Sequence, residues 1–291
     1  MCCSHLRDFL FLILFCAMAT RAQNLSVAVE DAAGNVVAQT TSTSNHPSAI
    51  LNFSHNYQPG DRIVVRGQQW LALKISDEMT VCNVYLSPAA EGVFKFPIPF
   101  GSGEQSTGSA YAPDAFTGLS HSILVTSVSR HDRWSRRNLA LNPCDRRIGS
   151  PVVFPHASTN SVSREAYNFD ARNAIDGVSR NGHHGEWPYQ SWGPLIKSDL
   201  WWNLDFGREV DVDNLRIMLR TDFPHDSYWK SAMVEFSDGS TLPLTMTSTA
   251  SFQDFRFSKR RIKWLRLTHL VSAEDRWSGL IELEAWGQDA H

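Results

Sequence analysis

Cysteine is scarce in this chain, and so is any excess of charge of one sign. Five cysteines occur in 291 residues, and three of them (Cys2, Cys3 and Cys16) fall within the first sixteen positions. Only Cys82 and Cys144 remain beyond these, too few for a disulfide-dense scaffold or a cysteine-rich metal site. Spacing alone leaves their state open: the pair is either bridged or simply two small buried residues. The formal net charge is −3, which gives nucleic acid or anionic membrane no electrostatic hold as a partner. The apolar run FLFLILFCAMA (9–19) is too short to span a bilayer comfortably. No HExxH helix, nucleophile elbow or phosphate loop occurs, so none of the reactions carried by those motifs is indicated.

What is present begins with that run. Arg7 precedes it, and TRAQ (20–23) follows with small residues at Thr20 and Ala22. This is the pattern of a signal peptide over 1–22, cleaved before Gln23; an uncleaved membrane anchor is the alternative. The mature chain is then secreted, periplasmic or at the cell surface, without a transmembrane span. It keeps 25 basic against 29 acidic residues once Arg7, Arg21 and Asp8 are removed. With 42% hydrophobic and 20% charged residues, the composition is that of a soluble globular protein, long enough for two domains.

Residues 24–130 read as short strands separated by turns, with no helical period, and predict an all-β domain. LSVAVE (25–30) and VVAQTT (36–41) flank DAAGN as a hairpin, and AILNFS (49–54) with RIVVRG (62–67) predict a second. WLALKIS, TVCNVYL, VFKFPIPF and HSILVTSVS complete this set, the third weakened as a central strand by Pro97 and Pro99. Residues 131–137, basic and polar, predict a solvated linker. Nine of the ten tryptophans lie beyond residue 130, a shift in composition that marks a second domain over 138–288. Its strands alternate: Leu200, Trp202, Leu204 and Phe206 against Trp201, Asn203 and Asp205, then Leu215, Ile217 and Leu219 against Arg216 and Met218. SAMVEF and TLPLTMT around an Asp-Gly turn, then FQDFRF, IKWLRLTHL and LIELEAWG, predict a β-sandwich with jelly-roll connections.

The order NLAL (138–141), NAIDG (173–177), a Trp-bearing loop, WNLDFG (202–207) and ELEAWG (282–287) resembles the discoidin, or coagulation factor five/eight type C, superfamily, which includes many bacterial carbohydrate-binding modules. The resemblance covers about half of the chain and implies a galactose-binding-like jelly roll that recognises a glycan or polysaccharide. It implies core roles for Trp192, Trp202 and Trp286. It also implies a structural calcium ion held by Asp176 and Glu282, to which backbone carbonyls would add the oxygens calcium needs. The insertion NGHHGEWPYQ (181–190) and the DFPHD loop depart from the family's short loops.

Those two departures hold the candidate site. HHGEWPYQSWG (183–193) and RTDFPHDSYW (220–229) concentrate histidines, acids and large aromatics in Pro- and Gly-punctuated sequence, where a rigid β scaffold presents binding residues. Trp187, Tyr189, Tyr228 and Trp229 are expected to offer faces to sugar rings, while Arg220, Asp222, His225 and His184 hydrogen-bond hydroxyls. The reading is non-catalytic carbohydrate binding. The alternatives are a glycan-active enzyme built on His183, His184, Glu186, Asp222, His225 and Asp226, and a protein-adhesion module.

Overall fold

A computed structural model describes residues 24–43, 47–147, 151–221 and 226–291; the leader expected over 1–22 lies outside the described residues. Among the described residues no helix is long and apolar enough to cross a membrane. The fold is all-β, in three antiparallel sheets.

In the first half, side-chain alternation decides which face of each strand is buried. β1 (Ser26–Glu30), β2 (Val36–Thr41), β3 (Ser48–Ser54), β4 (Arg62–Arg66), β5 (Trp70–Lys74), β6 (Cys82–Leu86), β7 (Val93–Pro97) and β8 (Ser120–Ser127) follow one another. One sheet runs β2-β1-β4-β7, and the facing sheet contains β6-β5-β8-β3. Val27 and Val29, Leu71 and Leu73, Phe94 and Phe96, and Ile123 and Val125 all point into the core between them. β7 ends the first sheet, so Pro97 costs no ladder hydrogen bond on its outer side. The second expected hairpin does not form. β3 pairs with β8 and β4 with β1, in different sheets. The connection between them crosses the sandwich because its own residues are buried. Tyr57 packs its ring 4.4 Å from that of His121, and the buried Asp61 holds His55 at 2.8 Å.

Most of the expected linker is exposed, at His131, Asp132, Trp134 and Arg136, while Arg133 and Arg137 reach back to the protein. Arg130–Trp134 forms a short helix, α1, capped by the Ser129 hydroxyl, which accepts from the Asp132 amide at 3.1 Å. The guanidiniums of Arg133 and Arg208 lie 5.1 and 4.5 Å from the Trp70 ring. Arg137 and Arg208 both reach the Asp289 carboxylate, at 3.0 and 2.8 Å. Basic side chains that looked solvent-directed instead lay their stems and planes on aromatic surface.

β9 (Arg137–Asn138) then joins the third sheet, while β10 (Val153–Phe154) adds to the second sheet beside β6. Cys144 enters the first core, where its thiol stands 3.6 Å from that of Cys82, unbonded. The neighbouring thiol and burial both push the Cys144 thiol well above its ordinary pKa.

The third sheet is built on two long strands, β12 (Trp202–Arg220) and β15 (Gln253–Ser272), with β11 (His156–Thr159), β13 (Trp229–Phe236), β14 (Thr241–Thr245) and β16 (Gly279–Asp289). β12 exchanges neighbours along its length. Trp202–Asp205 pairs with β11, and Val210–Arg220 pairs with β16. The change occurs where its register with β15 breaks, between Asp205 and Val210. Gly207 permits the bend: it adopts φ +67°, and a Cβ there would sit 2.4 Å from the Phe154 ring. Bent at this bulge, the sheet rolls over its own core of Leu204, Phe206, Leu215, Ile217, Leu265 and Leu283. Trp192 and Trp202 are buried there as expected. Trp286 is half-buried on the other face, its Nε1 donating to Glu284 at 2.6 Å. Trp202 fills the core and donates Nε1–H to the Ala171 carbonyl at 3.1 Å. Trp202→Ala is therefore expected to lower unfolding free energy by roughly 3–5 kcal/mol; a loss below about 1 kcal/mol in urea titration would contradict this packing.

Candidate functional site

Three segments meet at one end of the rolled sheet: 160–200 between β11 and β12, 226–228 before β13, and 273–278 between β15 and β16. The first is irregular because its polar side chains compete for the backbone. Asp170 Oδ1 accepts from the Ala171 amide at 2.7 Å, and Asn173 Nδ2 donates to the Tyr167 carbonyl at 2.9 Å. The outcome is three short 3₁₀ turns (Ser163–Glu165, Tyr167–Phe169, Ala171–Ala174) in place of a helix. Arg164 and Glu165 are both left-handed, at φ +52°, a strained arrangement for two non-glycine residues.

The turns place the buried Phe169 ring under a cluster of aromatic and basic groups. Trp277 meets it edge-on at 5.6 Å, and His184 lies over it at 6.4 Å. His183, exposed, is 5.6 Å from His184 and 5.5 Å from Tyr189. Arg164 extends over Phe169 at 5.1 Å and toward Trp277 at 5.9 Å. Behind them Arg220 is wholly buried. It is 2.8 Å from the Asp226 carboxylate and donates Nη1–H to the Ser191 hydroxyl at 3.0 Å. Gly279 leaves it room, since a Cβ there would come within 3.3 Å of the guanidinium carbon. Removing either partner of a buried pair of this kind would leave an uncompensated buried charge and be strongly destabilising.

The structure thus brings together Tyr189, His184 and Arg220 of the expected set, with His183 and Asp226. Asp222 and His225 lie outside the described residues. Two aromatics are elsewhere. Trp229 begins β13, is 2% exposed, and packs at 5.3 Å against Trp192. It has no face to offer a ligand, because the strand extends further into the loop than the sequence pattern suggested. Tyr228, beside it, is half-buried against the same core. Trp187 turns from Tyr189 toward the first half. Its amide donates to the Ser109 carbonyl at 3.1 Å, and its ring packs on the first core. With Glu186, Phe100, Tyr111 and Phe116 it lines a cleft of about 320 Å³. Trp277, Phe169 and Arg164 were not anticipated. Trp277 carries the signal used for the other loop aromatics, a large ring in the polar stretch AEDRWSG.

Asp176 and Glu282 are buried, at 4% and 2% exposure. Gln190 Nε2 donates to Asp176 at 2.9 Å, and Arg172 approaches to 4.0 Å. Among the described residues neither Glu282 oxygen meets a donor at full hydrogen-bond geometry, though the Gly177 amide is close enough to oppose the rise in its pKa. Asp176 is already satisfied, since its Oδ1 also accepts from the Val178 amide at 2.9 Å, so the oxygens open to a hard cation are those of Glu282. Among the described residues no three His, Cys, Asp or Glu side chains converge on a metal, so backbone carbonyls would have to complete any such shell.

A family model described as a domain of unknown function (DUF7402) matches residues 154–286. No curated protein matches the chain. Among the solved structures it is similar to are carbohydrate-binding modules and lectin domains. Chitosan-binding module 2 of a Paenibacillus sp. IK-5 chitosanase/glucanase, solved with chitotriose, is 20% identical over 52% of this chain and 100% of its own, with a TM-score of 0.36. The lectin domain of lectinolysin, solved with Lewis B antigen, is 17% identical over 53% and 98%, at 0.39. The family 32 module of Clostridium perfringens NanJ, solved with galactose, is 16% identical over 45% and 91%, at 0.35.

Burial sets a pH dependence. It pushes Asp176 and Asp170 up to about 6, and burial followed by the Asp176 charge pushes Glu282 well above the usual range. A carboxyl whose pKa rises on folding favours the protonated form. Its stabilisation is complete below about pH 4 and is lost as pH rises through about 6. In chelator, melting temperature is expected to fall from pH 4.5 to 7, and less steeply in Glu282→Gln. A rise across that window would refute the assignment.

Proposed function

We propose that the protein binds a glycan outside the cytoplasm, through the loop end of its second sandwich, and performs no chemistry on it. The observation that carries this reading is Trp277. It is a half-buried ring in a loop, flanked by Arg164 and edged by Phe169, with His183, His184 and Tyr189 nearby. A pyranose presents an apolar C–H face suited to such a ring, and its hydroxyls find donors in the arginine and histidines. Covering about 100 Å² of apolar area contributes roughly 2.5 kcal/mol, and each hydrogen bond adds about 1 kcal/mol net. After the cost of association this suits a Kd between micromolar and millimolar, an affinity useful on a polymer where avidity raises retention. Against chemistry stands the pairing of the nearby carboxylates: Asp226 faces a buried guanidinium and Glu104 faces Arg164, rather than a ligand. The first half takes part by positioning. Glu104 pairs with Arg164 at 2.5 Å, and Gln105 Nε2 donates to the Arg164 carbonyl.

Trp277→Ala is expected to reduce retention on insoluble polysaccharides tenfold or more with little change in melting temperature. Retention equal to that of the unaltered protein would overturn the reading. Reducing ends that accumulate with a bound polysaccharide, and cease in Asp226→Asn, would assign an enzyme instead.

A structural calcium ion belongs to the same proposal, supported by the unmet oxygens of Glu282 beside Asp176. Bound there, it would offset the mutual repulsion of two buried carboxylates. At a hundredfold excess over Kd, binding to the folded state alone adds about 2.7 kcal/mol, or several degrees for a protein of this size. Chelation is expected to lower the melting temperature by that amount, and Asp176→Asn to abolish the response. Identical melting curves with and without chelator would remove calcium from the account.

A further inference from the structure

Cys82 and Cys144 meet in the core of the first sandwich, 62 positions apart in sequence and buried at 1% and 3% exposure. Cys82 is the first residue of β6, opposite Leu73 of β5, and its alternation with Val84 and Leu86 turns it inward. Cys144 lies in the segment between β9 and β10. Its amide donates to Asn142 Oδ1 at 3.1 Å, and Asn142 Nδ2 donates in turn to the Pro155 carbonyl at 2.7 Å. Both backbones are thus held, one by a strand ladder and one by a buried amide side chain. The two sulfurs stand 3.6 Å apart, in van der Waals contact. Other polar atoms lie further off: the Leu73 carbonyl is 3.8 Å and Asn142 Oδ1 3.9 Å from the Cys82 sulfur. Bonded sulfurs are about 2.0 Å apart, so each has roughly 0.8 Å to travel. No other cysteine occurs after position 16, so a chain trimmed of the expected leader has a single intrachain pairing open to it.

We propose that Cys82 and Cys144 form an intrachain disulfide that staples the first sandwich to the segment between β9 and β10. The oxidant is itself a disulfide, of a protein or of a small thiol compound. One cysteine thiolate attacks it, displaces a thiolate and forms a mixed disulfide. The other cysteine thiolate then attacks the first cysteine's sulfur and releases the oxidant's second sulfur as a thiolate. Two electrons and two protons pass from the cysteine pair to the oxidant, which leaves as two thiols. Burial fixes when this happens. The thiolate is the reacting form, and in the folded chain the neighbouring thiol and burial hold the Cys144 thiol well above its ordinary pKa. Bond formation therefore belongs to folding, before the core closes, and the finished bond is shielded from reductant in the same way. Its position gives it a mechanical role. Pro143 and Asp145, on either side of Cys144, accept from Arg172 at 3.0 and 2.9 Å, so the staple fixes the segment to which the 3₁₀ turn at Ala171–Ala174 is tied. Closing a loop of this length also removes freedom from the unfolded chain. The proposal is independent of the glycan reading.

The test is a peptide map of the full chain, refolded from denaturant and reductant into a mixture of oxidised and reduced glutathione. The product is denatured in N-ethylmaleimide to block free thiols, then digested without reductant and read by mass spectrometry. A peptide pair joining Cys82 to Cys144 is expected, and it is expected to separate when reductant is added. Alkylation of both cysteines as free thiols overturns the proposal, as does their joining to other cysteines or to a second chain. Melting supplies a reading of the staple itself, and it needs no variant. The oxidised chain is expected to melt about 5 °C or more above the same chain refolded and held in reductant. Equal melting temperatures overturn the stapling role. Cys144→Ser is expected to melt alike with and without reductant, and a reductant effect that survives in it assigns the stabilisation to another bond.

Discussion

Much of the molecule is organised by the burial of one guanidinium, that of Arg172. Removing such a charge from water costs several kcal/mol unless its donors are met. Here they are. Nε donates to the Asp145 carbonyl at 2.9 Å, Nη2 to the Pro143 carbonyl at 3.0 Å and Nη1 to Asn173 Oδ1 at 2.9 Å. Tyr111 of the first half lies 4.7 Å from the guanidinium carbon. Satisfying Arg172 therefore ties the 143–145 segment to the 3₁₀ turn at 171–174. It also places Asp145 where it holds His156, and puts a positive charge near Asp176 and Asp170. There Arg172 opposes the rise that burial imposes on both carboxyls.

The junction between the two sandwiches repeats this theme. Trp70 lies against Arg133 and Arg208, Tyr111 against Arg172, and Arg164 reaches back to Glu104. Planar guanidiniums pack on rings while keeping their donor edges free for carbonyls and carboxylates, so a junction can be polar and still well packed. The consequence for function is direct. The 160–200 segment has little regular hydrogen bonding of its own, and its shape is set by what it leans on. Ser109 receives the Trp187 amide and the Glu104 carbonyl accepts the Tyr167 amide, so the first sandwich acts as the floor on which these loops are laid.

Strands were legible wherever one face is buried, because a period of two is imposed locally by the pleat. Val27 and Val29, Leu71 and Leu73, and Leu215, Ile217 and Leu219 mark their strands without help from the fold. Partners were not legible. The residues of 49–54 and 62–67 say that both are strands, but only the burial of Tyr57 and Asp61 sends them to opposite sheets. Trp229 shows the same limit: a ring next to Asp, Ser and Tyr looks like a loop aromatic until its packing against Trp192 places it inside. Arg133 of the basic linker misled for a related reason, since arginine is as well suited to covering a tryptophan as to facing solvent.

Composition and alternation by themselves determined an all-β chain, a tryptophan-rich second half, and a concentration of histidine, aromatic and acidic residues in its loops. These are local properties, carried by neighbouring positions along the chain. Tertiary structure alone decided that Trp187 and Tyr189, two residues apart, serve different surroundings. It also decided that Trp277 and Arg164, more than a hundred residues apart, stand in the same one, and that the Asp170 side chain ends buried. Each of those outcomes depends on which loops a rolled sheet brings to its end and on how the other sandwich supports them. Such contacts are long-range, and a side chain's burial is set by its neighbours in space, so no stretch of sequence read singly contains them.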